Sequence, residues 1–143
     1  MSNLHFIIEK LEEKNNMLCL CYFKPDVYNS LQEVEEWQPE KRLLMDSDKK
    51  QLVYIIDTPS GWEYIRFPIE LWKTVDQALV KEQDFLLVTS VTESGEAHKS
   101  FILKDFRKEA VDLILNMRNN ANYGEDMSEL VEEHFEQVLN NHT

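Results

Sequence analysis

The run Leu52-Val53-Tyr54-Ile55-Ile56 is apolar at every position and rich in β-branched and aromatic side chains, so as a strand it has no polar face to turn to water. A chain that holds such a segment has to build a sheet around it. The run is therefore read as a central strand covered on both sides. Before it, the polar Asp46-Ser47-Asp48-Lys49-Lys50 separates it from a strand over residues 42–45. After it, Thr58-Pro59-Ser60-Gly61 supplies Pro where a turn wants a preset φ and Gly where it wants a positive one. Trp62-Glu63-Tyr64-Ile65-Arg66-Phe67 then resumes an extended pattern and closes the clearest hairpin in the chain.

Other segments fall in around this centre. Phe6-Ile7-Ile8 and Met17-Leu18-Cys19-Leu20-Cys21-Tyr22-Phe23 read as a first hairpin turning at Glu12-Glu13-Lys14-Asn15-Asn16. Residues 25–41 read as a loop with one short helical turn over 31–36, and Glu93-Ser94-Gly95-Glu96 joins strands over 85–88 and 98–103. Helical spacing predicts a helix over 68–81 with Pro68 in its first turn, a second capped by Asp105 with Phe106, Ala110, Leu113, Ile114 and Met117 on one face, and a third carrying the stripe Met127, Leu130, Val131, His134, Phe135, Val138 and Leu139. The expected architecture is α+β: an antiparallel sheet of about six to seven strands with three helices, the last two forming a C-terminal helical pair, in a single domain over 1–143.

Composition sets the class of partner. Twenty-seven acidic residues against 15 basic ones give a net charge of -12, which repels phosphate backbones and anionic lipid, so neither direct nucleic-acid binding nor membrane association is expected. No apolar run approaches the ~18 residues of a membrane helix, and the N-terminus has no basic leader; a soluble cytoplasmic protein is expected. Cys19 and Cys21 are two apart in an apolar strand, which suits buried thiols better than a disulfide.

No phosphate loop, nucleophile elbow or zinc spacing occurs, and His5, His98, His134 and His142 are scattered. Asp46-Ser47-Asp48 opens like a calcium loop. However, Lys50, Gln51 and Asp57 stand where that loop needs an oxygen ligand, Gly and Glu, so a turn is the simpler reading and neither metal nor cofactor is expected. Trp62 and Tyr64 share a strand face, and if helices leave that face uncovered they form an aromatic surface of the kind enriched at interfaces, including that of a homodimer. Trp37, set among acids, either folds back onto the domain or anchors a partner. The polar break Asn119-Asn120-Ala121-Asn122-Tyr123-Gly124 is explained by left-handed helix-end geometry except at Tyr123, which either lies over the helix pair or is an exposed handle.

Leu43-Leu44-Met45-Asp46-Ser47-Asp48, then Trp72 in a helix, then Asn120-Ala121-Asn122-Tyr123-Gly124-Glu125 opening an acidic helix, together resemble a small uncharacterised family of low-GC Gram-positive bacteria, the bacilli and staphylococci. The resemblance spans residues 42–139 and fades before Arg42, where the acidic stretch over 27–38 reads as extra length. It implies a cytoplasmic bacterial protein and brings no catalytic residues. The leading functional expectation is a non-enzymatic interaction or regulatory module with an unknown protein partner, its candidate contacts being Trp37, Asp46, Asp48, Trp62, Tyr64, Asn122 and Tyr123. Two alternatives stand beside it: a small enzyme with a site assembled from distant residues such as Asp46, Asp48 and Asn122, and an acidic nucleic-acid mimic that binds a basic protein.

Overall fold

The computed structural model describes residues 6–118 and 120–142. The readings made for the N-terminus through His5 and for Asn119 lie outside the described residues.

Among the described residues seven strands and four α-helices are formed, and the α+β class stands. The strands fall into two sheets instead of one. A meander of β3 (Gln38–Asp46), β4 (Gln51–Thr58) and β5 (Gly61–Pro68) makes a three-stranded antiparallel sheet with β4 at its centre. The other sheet has the order β1-β2-β6-β7, from β1 (Ile8–Lys14), β2 (Leu18–Phe23), β6 (Asp84–Val91) and β7 (Ala97–Ile102). Its central pair, β2 and β6, runs parallel, with Cys19 opposite Phe85 and Cys21 opposite Leu87. The two sheets meet where Phe6 and Ile7 lie along β5: the Arg66 amide donates to the Phe6 carbonyl at 2.8 Å.

Several predicted boundaries shift for identifiable reasons. Glu12, Glu13 and Lys14 belong to β1, an edge strand whose charged side chains face water, and the turn is made by Asn15 and Asn16 at positive φ. The acidic loop contains two 3₁₀ turns, Pro25–Ser30 and Val34–Glu36, and β3 begins already at Gln38, with a bulge around the left-handed Lys41. Pro68 ends β5 in extended geometry; a 3₁₀ turn, Ile69–Leu71, then leads into α1 (Trp72–Val80).

Asp105 precedes α2 (Phe106–Met117) with left-handed φ and makes no side-chain cap. The last predicted helix is broken at Phe135 into α3 (Glu125–His134) and α4 (Glu136–Asn141).

The main core lies between the two sheets and the helices. Phe106 of α2 stacks on Phe85 at 4.1 Å and packs against Phe67 and Tyr54, while the Trp72 indole N–H donates to the Phe67 carbonyl at 2.9 Å. Cys19 and Cys21 point into this core, and burial pushes the Cys21 thiol well above its ordinary pKa. On the reverse of the same strand Leu20 and Tyr22 form a satellite cluster with Val88. Tyr28, from the first 3₁₀ turn, covers part of that cluster, and its hydroxyl accepts the Phe23 amide at 2.9 Å.

Candidate functional site

Strand alternation sorts the three-stranded sheet into two faces. Leu43, Leu52, Tyr54, Ile56, Ile65 and Phe67 turn into the core. Their neighbours along each strand, Arg42, Leu44 and Asp46 on β3, Val53 and Ile55 on β4, and Trp62, Tyr64 and Arg66 on β5, point the other way. Val53 and Ile55 are buried yet belong to neither apolar cluster of the core. On the same face Leu44, Trp62 and Tyr64 remain 44%, 51% and 39% exposed. The reverse of β2 has Tyr28 above it.

Polar groups fix the rim of the three-stranded sheet. The Arg66 guanidinium donates to Asp46 Oδ2 at 3.0 Å and to Gln51 Oε1 at 3.1 Å, and the Arg42 guanidinium sits 5.4 Å from the Trp62 ring centroid. The Lys49 amide donates to Asp46 Oδ1 at 3.1 Å. That bond, followed by the Arg66 charge, holds the Asp46 carboxyl below its ordinary pKa. Asp46 is thus the keystone of its turn and the counter-ion of Arg66, while Asp48 is exposed beside it. Alternation places two cations, Arg42 and Arg66, and two carboxylates, Asp46 and Asp57, on this face.

The remaining sequence candidates go elsewhere. Trp37 is buried, edge-on to Phe6 at 5.6 Å and to Phe101 at 6.4 Å, which is the folded-back arrangement of its two readings. Asn122 is exposed on a 3₁₀ turn, Ala121–Tyr123, and Tyr123 is half-buried against the core, over the helices. Among the described residues no hydrogen bond, ion pair or ring contact joins Asn122 to Asp46 or Asp48. Arg118 ends α2 in extended geometry, so no left-handed residue stands at that position; the Asn120 side chain instead donates to the Asn116 carbonyl and accepts the Asn122 amide.

One feature had no sequence signal. Asp76 of α1 is buried, and its two oxygens accept the Gln137 and Val138 amides at 3.1 and 2.9 Å, capping α4 across the fold. Lys73, Gln77, Glu133, His134, Glu136 and Gln137 complete a small polar cleft of ≈ 130 Å³ around it. His134 Nδ1 donates to the Leu130 carbonyl at 2.8 Å and its ring stands edge-on to Trp72. Asp76 and His134 both bond backbone groups, and in this way the cleft holds a helix junction together. Among the described residues no group of three or more His, Cys, Asp or Glu is placed to hold a metal ion, and no helix is long and apolar enough to cross a membrane.

Residues 6–135 match the Family of unknown function (UPF0738), and the chain belongs to that family. A UPF0738 protein of Geobacillus sp. (strain WCH70) is 30% identical over 129 residues, covering 90% of this chain and 94% of that protein. Those of Bacillus mycoides (strain KBAB4) and Lysinibacillus sphaericus (strain C3-41) are 27% identical over 128 residues and 29% over 102 residues. They cover 90% and 71% of this chain and 94% and 75% of their own lengths. The family match reaches back to residue 6, well ahead of Arg42, where the resemblance carried by the motifs fades. No solved structure matches the chain.

Proposed function

We propose that this member of a bacterial family of unknown function is a non-enzymatic protein-interaction module of the cytoplasm, and that its contact surface is the open face of the three-stranded sheet. One observation carries the reading. Around the buried Val53 and Ile55 of β4, large apolar side chains of the neighbouring strands are left in water: Leu44, Trp62 and Tyr64 are 44%, 51% and 39% exposed on one sheet face. A partner would cover those exposed side chains. Trp62, Tyr64 and the two arginines are the residue types enriched in the fully desolvated centres of interfaces. The acidic-mimic alternative needs carboxylates on the recognition surface, and this face is electrically neutral.

The test is a photo-crosslinking residue in place of Tyr64, irradiated in the native cell, beside the same residue in place of Met17, which is exposed on the turn between β1 and β2. The expected outcome is a discrete crosslinked species from position 64 and none from position 17. If position 64 captures nothing, the open face is not a contact surface.

A further inference from the structure

We infer that Asp76 is a latch that bends one C-terminal helix into two, and that without its carboxylate residues 125–141 run on as a single helix. The break at Phe135 falls in Glu133-His134-Phe135-Glu136, which holds neither Pro nor Gly. Sharp breaks arise at Pro, at Gly/Ser pairs, at π-bulges or where a side chain enters the ladder of backbone bonds. Here a side chain enters. The ladder is intact on both sides of the break: the Phe135 amide donates to the Val131 carbonyl at 2.9 Å, and the Leu139 amide to the Phe135 carbonyl at 3.0 Å. Between them lie the Gln137 and Val138 amides, which in a continuous helix would reach the Glu133 and His134 carbonyls. They go instead to Asp76 Oδ2 and Oδ1 on α1, at 3.1 and 2.9 Å.

Local sequence favours the straight form. Val131, His134, Phe135, Val138 and Leu139 hold helical spacing through the break, and the Glu, Gln and Leu residues around it are good helix formers. Tertiary contacts favour the bent one. The bend lays α4 against α1 and buries Val138 and Leu139 in the core, where the Arg118 guanidinium donates to the Leu139 carbonyl at 3.3 Å. One carboxylate on α1 thus settles a contest between two arrangements of the same backbone, each with its own acceptors for the same two amides. Straightening carries Val138 and Leu139 out of the core, so the latch also decides whether α4 stays docked.

Solution NMR of the full chain tests it. In the wild type, scalar couplings across hydrogen bonds should run from the Gln137 and Val138 amide nitrogens to the side-chain carboxyl carbon of Asp76. Asp76→Leu removes both acceptors. The Cα shifts of residues 134–136 should then move into the helical range, and the two couplings should reappear at the backbone carbonyls of Glu133 and His134. Asp76→Asn keeps one acceptor oxygen and guards against loss of the fold; it should release one of the two amides and move the same shifts part of the way. Wild-type couplings to Glu133 and His134 would mean that the helix is already continuous, and the latch falls. Unchanged shifts at residues 134–136 in a folded variant are what a plain cap beside a break made by packing would give, and they overturn it equally.

Discussion

At the scale of single residues, Asp76 carries more of the architecture than any candidate read from the sequence. Its carboxylate is the acceptor for two amides that would otherwise be left unbonded at the start of α4. Asp76→Ala should therefore cost about 2 kcal/mol in urea unfolding, and Asp76→Asn less, since one oxygen remains. Burial, opposed by the Val138 and Gln137 amides and helped by the neighbouring Glu136 charge, leaves the native pKa raised. The native state then binds the proton more tightly than the unfolded chain. The Asp76 contribution is thus fully present below about pH 4 and is lost as pH rises through the native pKa. Wild-type stability relative to Asp76→Asn should fall over that window, as urea titrations at a series of pH values would read; a flat difference would mean the carboxyl is not perturbed. None of this was legible, because nothing around Thr74, Val75 or Gln77 marks Asp76 as a cap for a helix that begins at Glu136. Trp62 and Tyr64 were legible, since alternation alone places them together; Arg42 and Leu44 needed the β3 register.

Among elements, turns written in local chemistry were readable and boundaries set by distant partners were not. Thr58 and Gly61 close their hairpin as Pro and Gly foretell, with the Thr58 hydroxyl donating to the Gly61 carbonyl at 2.7 Å. Gly124 also takes positive φ, as an entry to α3. A Cβ there would meet nothing within 4 Å, so Gly124→Ala should cost about 1 kcal/mol through backbone strain alone, measured as a drop in the urea midpoint at unchanged m-value. A neutral result would show that alanine tolerates that geometry. The break at Phe135 was missed because the apolar stripe Val131, His134, Phe135, Val138, Leu139 keeps helical period straight across it. The period reports which side is buried and is silent about whether the backbone continues. The two-sheet division was hidden for a similar reason: the β2–β6 pairing joins strands far apart in the chain, and no local pattern encodes it.

On the scale of the whole molecule, the net charge of -12 works against the compact fold, because like charges are held closer together in the native state than in the unfolded chain. Raising salt from about 20 to 200 mM should therefore raise the urea midpoint, as equilibrium unfolding at the two ionic strengths would show; a lower midpoint at high salt would mean that ion pairs such as Asp46–Arg66 and Glu13–Lys81 outweigh the net repulsion. The parallel pairing of β2 with β6 has a consequence of its own, in time. During synthesis the meander of β3, β4 and β5 can close on itself as soon as it leaves the ribosome, but β2 has to wait for β6, with Cys19 unpartnered until Phe85 has emerged. At bacterial elongation rates that wait is on the order of 3–13 s. Throughout it, two thiols that the finished protein hides completely are open to oxidants and alkylating agents, so the nascent chain has a chemical vulnerability that the mature protein lacks.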